Sequence, residues 1–329
     1  MRTLTIPGLP VEPSVLCLGT ALFGSGVPRD DAWRLLDAFV ESGGNFLDTA
    51  RVYAEWLPNG TGASERTLGA WLRKCGNRNA MVVGTKGCTL ASGTLRLPEL
   101  SPEQIGHELN ESLQRLQTDV IDLYWLHRDN PAVPVGEILD ALAPYVHTGT
   151  VHAIGASNWT TPRLREAAAY ARTHGRPRFV ASQISWSLAA EWHGPPGDPT
   201  TVTMDGATHA FHVQTGMPLV AYSSQAHGFF AGRGQRLRKE YGNREPPMSE
   251  PAACFYTPAN LRRLERAEQL ARNYGVNANS IALAYLTSQP FAAAAIFGSR
   301  TVDQVRGSGA AGSLRLTPKD IAFLEEGSP

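Results

Sequence analysis

The chain has 329 residues, 42% hydrophobic and 18% charged, with 30 basic side chains against 30 acidic ones. That is enough apolar material for a sizeable core, and the balanced charge gives no sign of an electrostatic grip on nucleic acid or on a membrane surface. The four cysteines, Cys17, Cys75, Cys88 and Cys254, lie far apart with no CxxC pair, so neither a disulfide framework nor a zinc site is expected and a reducing, cytoplasmic setting is.

The start, MRTLTIPGLP, lacks the apolar stretch of a signal peptide. No run approaches the roughly 18 apolar residues of a membrane span. Residues 4–12, LTIPGLPVE, predict a short β-hairpin turning at Pro7-Gly8. A rhythm then begins, with strand-like apolar runs at 15–19, 45–48, 81–85, 120–126, 151–155, 179–184, 218–222 and 292–297. Segments with helical spacing lie between them. Arg29 to Ser42 puts Trp33, Leu36 and Val40 on one face. Ala63 to Lys74 groups Leu68, Trp71 and Leu72. Ser101, Pro102 and Gln104 form a capping box that opens a helix to about Leu116. Thr161-Pro162 opens another, ending at His174 before Gly175. Pro258 to Tyr274 and Asn279 to Ser288 give two more. One starts at Thr301, and Thr317-Pro318 caps a final one to Glu326.

Strands alternating with helices imply a parallel sheet, and eight such units close into a (β/α)8 TIM barrel whose site lies at the strand ends. No linker or composition break divides the chain, so one domain over 1–329 is expected, with the hairpin at its start. The connections at 49–62, 185–203 and 223–257 are too long for simple turns; all follow strands and should rise over one face as pocket walls.

Four residues stand at those ends. Asp48 closes NFLD, Lys86 follows VVGT, His127 follows DLYWL, and Tyr53 lies in the loop after Asp48. Each alone is ordinary: a helix-capping Asp, a solvated Lys, a packing Tyr, a core His. Together they are the makeup of a proton-donor site. A tyrosine ionises near pH 10, but an ammonium at ~4 Å, with an effective dielectric of about 20, favours the phenolate by about 4 kcal/mol. Lys86 alone could then bring Tyr53 close to working pH, where acid–base catalysis is efficient. Asp48 would hold Lys86 charged and aimed. His127 would offer a hydrogen bond to a substrate oxygen.

The segments NFLDTARVY, ASERTLGAWL, GTK, LQTDVIDLYWLH, IGASNW, SQISWSL, LVAYSS and FGSRTVDQV, in this order, resemble the aldo-keto reductase family nearly end to end. The resemblance implies NADPH-dependent reduction of an aldehyde or ketone, with Asp48, Tyr53, Lys86 and His127 as the catalytic tetrad and Tyr53 as the acid. No GxGxxG follows a strand, so a Rossmann site is not indicated. The resemblance instead lays the nicotinamide across the barrel mouth. Ser157, Asn158 and Gln183 match residues that bond its carboxamide. Tyr222 matches the aromatic stacked on its ring. Gly19 and Thr20 line the other side, and Asp48 borders the same site. The pyrophosphate would run along Ser223 to Arg233, with Ser223, Gln225 and Arg233 in contact; Ser224 and Gln225 replace the usual Pro and Leu. The adenosine end would meet Gly298, Ser299, Arg300 and Gln304. Ser299 and Arg300 suit a 2′-phosphate, which favours NADPH over NADH. Gly307-Ser308 stands where the family commonly has Glu-Asn against adenine.

On the substrate side, Trp56, Arg128 and Trp159 are expected at the mouth. Strand period also turns Trp125 inward, into the barrel core. Aromatics beside Arg128, Asp129 and Asn130 suggest a sugar or glycoside carbonyl, although a hydrophobic aldehyde suits aromatics equally. The resemblance allows a second class of function, an NADPH-binding regulatory or channel-associated subunit with little turnover. A metal-dependent barrel chemistry is disfavoured, because His127 has no partner at ligand spacing. The expected partner is a small-molecule carbonyl compound, not nucleic acid or membrane.

Overall fold

A computed structural model describes residues 1–90, 94–190 and 198–326. Eight parallel strands close into a barrel in chain order: β1 (Leu16–Gly19), β2 (Phe46–Asp48), β3 (Val82–Gly87), β4 (Ile121–Leu126), β5 (Val151–Ser157), β6 (Phe179–Ser185), β7 (Leu219–Tyr222) and β8 (Ala293–Phe297). Around them run α1 (Arg29–Glu41), α2 (Ala63–Cys75), α3 (Pro102–Leu116), α4 (Val135–His147), α5 (Thr161–His174), α6 (Gly206–Thr215), α7 (Gly234–Tyr241), α8 (Pro258–Tyr274), α9 (Ala278–Thr287), α10 (Val302–Gly309) and α11 (Pro318–Glu326). The strands match the eight apolar runs because a sheet covered on both faces selects unbroken apolar stretches. In β4, IDLYWL, every residue is buried.

Register brings the site residues together. Gly19 pairs with Asp48, Asp48 with Gly84, Lys86 with Trp125, and Ser157 with Gln183. Trp125 fills the barrel interior between glycines of its two neighbouring strands. A Cβ on Gly155 would stand 2.3 Å from the indole, and one on Gly84 would stand 2.9 Å from it. The core tryptophan and the two missing side chains are therefore one packing unit.

Two expectations need correction. Residues 4–12 turn at Pro7-Gly8, but antiparallel pairing there is a single bridge, Thr3 to Ser14. Pro7, Pro10 and Pro13 carry no N–H donor, so a ladder cannot grow along this stretch. The capping box is half-built: Ser101 Oγ accepts from the Gln104 N–H at 3.2 Å, while the Gln104 side chain accepts from Glu99 and Leu100 rather than from Ser101. The 223–257 connection is longer than a turn, as expected, and folds in part into α7. Of the 185–203 connection, residues 191–197 lie outside the described residues, so its expected role as a pocket wall is left at that. No helix among the described residues is long and apolar enough to cross a membrane, and all four cysteines are free thiols.

Candidate active site

The loop after β2 does not leave the barrel at once. Thr49 N–H donates to Gly84 O at 2.8 Å and Arg51 N–H to Lys86 O at 3.0 Å, so the chain continues to follow β3. Arg115 of α3 donates to Arg51 O at 3.1 Å, and the Arg51 side chain pairs with Glu111. This clamp carries Tyr53 back over the strand ends. His127 is fixed next door by its N–H, which donates to Gly87 O at 2.8 Å.

The result is a compact cluster. Lys86 Nζ donates to Asp48 Oδ1 at 2.5 Å, to Thr49 O at 2.7 Å and to Tyr53 Oη at 2.9 Å. Tyr53 Oη lies 3.3 Å from Asp48 Oδ1. Gln183 Nε2 donates to Asp48 Oδ2 at 3.0 Å, which fixes the carboxylate from the opposite side of the barrel. The Tyr53 and His127 rings meet edge to face at 6.1 Å. Asp48 and Lys86 are each 1% exposed. A buried pair of this kind holds only because each charge is answered directly.

The electrostatics differ from the simple Lys–Tyr expectation. Burial, followed by the Asp48 carboxylate, pushes the Tyr53 phenol well above its ordinary value. Asp48 sits against both Lys86 and Tyr53, so the ammonium field at the phenol is largely cancelled. Tyr53 is thus a protonated phenol at neutral pH, with a donor's proton in place. Burial also lowers Lys86, opposed by Asp48. His127 is held well below the usual histidine range by burial, then by Lys86 and Arg128. It is a neutral imidazole, and its Nδ1 is buried without a hydrogen-bond partner.

From Asp48 and Tyr53 a cleft of about 950 Å³ runs outward. It passes Gly19, Tyr222, Ser223, Gln225 and Arg233, and ends at Gly298, Ser299, Arg300, Gln304, Gly307 and Ser308. Most of the residues expected to hold a nucleotide therefore share one cavity. Arg233 lies at its rim with Nη1 donating to His227 O at 2.6 Å. Ser299 Oγ is buried with no partner. The Arg300 guanidinium is exposed and unpaired among the described residues, and the backbone N–H of Arg300 is capped by Gln304 Oε1 at 2.8 Å.

Other expected contacts are already committed. The Thr20 side chain turns away from the cleft and bonds Asp48 O at 2.9 Å and Ser64 Oγ at 2.8 Å. Asn158 Oδ1 accepts from Tyr222 Oη at 2.7 Å and from Val202 N–H at 3.2 Å; its Nδ2 donates to His127 O at 3.3 Å and to Ser157 Oγ at 3.1 Å. Those four bonds use the whole capacity of the amide. Asn158 therefore ties the ends of β4, β5 and β7 to the connection after β6, and a contact to a carboxamide would cost one of these bonds.

On the substrate side, only Trp56 stands free, 61% exposed. It lines a separate cavity of about 500 Å³ with Arg51, Glu55 and Leu90. Trp159 does not face the mouth. It is 1% exposed, packed edge-on against Phe179 at 4.9 Å and covered by Arg163. Arg128 pairs with Asp198 at 3.2 Å, Asp129 is gripped by Arg163 at 3.0 and 3.1 Å, and Asn130 donates to Pro98 O at 2.7 Å. The sequence stretch that suggested hydroxyl recognition is thus largely internal scaffolding. Sequence reasoning also missed Phe23, Phe230, Asn277 and Asn279, which line the main cleft. Asn277 is the N-cap of α9, accepting from Ser280 N–H at 2.8 Å, which explains it without a ligand; Asn279, inside the first turn, makes no capping bond. No group of three metal-ligating side chains occurs among the described residues.

The model of the Aldo/keto reductase family matches residues 15–328. The chain is similar to "Protein tas" of Escherichia coli K12, 29% identical over 99% of this chain and 97% of that protein. It is 30% identical to the "Uncharacterized oxidoreductase YrpG" of Bacillus subtilis, over 95% of this chain and 91% of the relative. The norsolorinic acid reductase stcV of Emericella nidulans is 29% identical, over 98% of this chain and 80% of its own length. Among solved structures, a thermostable aldo-keto reductase in complex with the inhibitor epalrestat superposes with a TM-score of 0.70 at 24% identity, over 100% of both chains; that likeness concerns the fold.

Proposed function

The chain belongs to the aldo/keto reductase family, and on that footing we propose that it reduces an aldehyde or ketone to an alcohol, with NADPH as reductant and Tyr53 as proton donor. The observation that carries this reading is the Tyr53 hydroxyl, 2.9 Å from Lys86 Nζ, on the wall of the cleft. The cleft fits a phosphorylated dinucleotide. Its far end offers the unpartnered Ser299 Oγ and the unpaired Arg300 guanidinium, a hydroxyl and a fork of N–H donors suited to a phosphate monoester.

A nicotinamide held in the cleft beside Tyr222 and Gly19 would supply a hydride for the carbonyl carbon. The chain manages the proton. Burial and Asp48 keep Tyr53 protonated until a substrate oxygen accepts its proton. Lys86, in contact with the phenol oxygen, stabilises the phenolate left behind. Asp48 keeps Lys86 cationic despite its burial. Neutral His127 lies beside Tyr53 and can hold the substrate oxygen with a hydrogen bond, without competing as an acid. Solvent then returns a proton to Tyr53.

For the substrate, an apolar or aromatic carbonyl compound is favoured over a sugar. Arg128, Asp129 and Asn130 are bonded to the protein, while Phe23 and Phe230 line the cleft that holds Tyr53.

The test follows NADPH absorbance with a carbonyl panel that includes aromatic ketones and keto-sugars. Tyr53→Phe is expected to lower kcat by about 10³-fold while NADPH affinity is retained. Full activity in Tyr53→Phe removes the assigned acid. Tight NADPH binding with no turnover across the panel replaces the enzyme with a regulatory subunit.

A further inference from the structure

The far end of the cleft holds a relay of uncharged groups. Gly298 N–H donates to Gln225 Oε1 at 2.9 Å, Gln225 Nε2 donates to Asn279 Oδ1 at 3.1 Å, and Asn279 Nδ2 donates to Ser308 Oγ at 3.1 Å. The chain of bonds ties the loop after β7, the loop after β8, the start of α9 and the end of α10. All four residues line the cleft. Asn279 is 6% exposed and Ser308 is 2% exposed, so the relay forms a wall and not a solvated surface.

Its chemistry differs from the rest of the cavity. Arg233 and Arg300 supply cations at two other points of the lining, and phosphates belong with them. The relay has no charge. It leaves one N–H and one lone pair of the Asn279 amide unused, along with the hydroxyl proton of Ser308. A donor and an acceptor on one planar amide complement the edge of adenine, which presents an amine beside a ring nitrogen. Gly307 adds room at this spot. A Cβ there would meet nothing closer than Asn277 Nδ2 at 3.6 Å, and no side chain fills the space. Asp48 and Tyr53 line the opposite end of the same cleft, where the reacting ring must lie, so the base falls to this end.

We propose that Asn279, presented by the Gln225–Asn279–Ser308 relay, reads the adenine of the dinucleotide at the place where Gly307-Ser308 provides no large polar side chain. This rests on the NADPH reading above. Asn279 is a specificity-determining residue for the base, not for the phosphates.

The test is isothermal titration calorimetry of the whole protein with NADP+ and with its deamino analogue, in which hypoxanthine replaces adenine and a carbonyl replaces the amine. Wild type is expected to bind NADP+ about tenfold more tightly than the analogue, and Asn279→Ala to lose about tenfold in NADP+ affinity and all of that preference. Ser308→Ala, which frees the Asn279 amide to rotate, is expected to lose about threefold. If Asn279→Ala fails to fold, Asn279→Leu has a similar size, lacks both the donor and the acceptor and carries the same expectation. Unchanged affinity and unchanged base preference in the folded variant overturn the proposal and leave the cofactor reading intact. Failure of wild type to bind NADP+ overturns the cofactor reading itself.

Discussion

The two ends of the cleft are built by different means. At the inner end, Asp48, Lys86 and His127 stand on or directly after barrel strands, and their partners lie within the cluster: Lys86 answers Asp48, and Asp48 is fixed again by Gln183. At the outer end, Gln225, Asn279, Arg300 and Ser308 come from a loop and from helix ends. Residues Ser223, Ala226, His227 and Gly228 of that loop all take left-handed backbone conformations. The inner end is held by charge in a dry place, where a lost partner is expensive. The outer end is held by neutral hydrogen bonds, each worth about 1 kcal/mol. Chemistry at the inner end needs fixed distances, which strands give. Recognition at the outer end needs only the right groups on a wall that can adjust.

The contrast can be broken most forcefully at Lys86. Lys86→Met leaves the Asp48 carboxylate buried without its cation and is expected to cost about 3–5 kcal/mol of stability, read by urea unfolding, along with turnover. A variant as stable as wild type would mean that the inner end does not depend on paired charge. Arg300→Ala is the matching change at the outer end. It should leave unfolding within about 0.5 kcal/mol of wild type. It should weaken NADPH binding by about tenfold and leave NADH nearly unaffected. Equal losses for both nucleotides would remove Arg300 from the 2′-phosphate.

The smallest effect concerns pH. His127 is depressed in the folded chain, so the unfolded chain takes up a proton first as pH falls. Stability from this residue is complete above the ordinary histidine value of about 6.5 and is lost as pH falls below it, by up to about 1.4 kcal/mol per pH unit. Unfolding measured between about pH 7.5 and pH 5.5 should show this slope, and His127→Gln should flatten it. An unchanged slope in the variant would place His127 outside the dry cluster.

Much of this was legible in the chain and some of it was not. The eight strands follow from apolar runs, because burial on both faces leaves no choice of residue type. Lys86 and His127 were placed by the ends of those runs. Trp125 was expected in the core, but only the register shows Gly84 and Gly155 making room for it. Trp159 and Asp129 look like pocket residues in sequence. They proved to be packing and an ion pair, because their partners Phe179 and Arg163 lie on other elements.

The sequence by itself determined the barrel, the order of its strands and the set of ionisable groups at their ends, since periodicity and strand ends are local properties. Tertiary structure alone decided the protonation of Tyr53, because its burial comes first and the Asp48 carboxylate second, and the Lys86 ammonium that Asp48 offsets reaches the phenol only when β2 and β3 lie side by side. It also decided that Asn158 is spent inside the scaffold while Asn279 faces the cleft. Both are asparagines beside a helix start, and their difference lies wholly in which distant groups the fold brings to each amide.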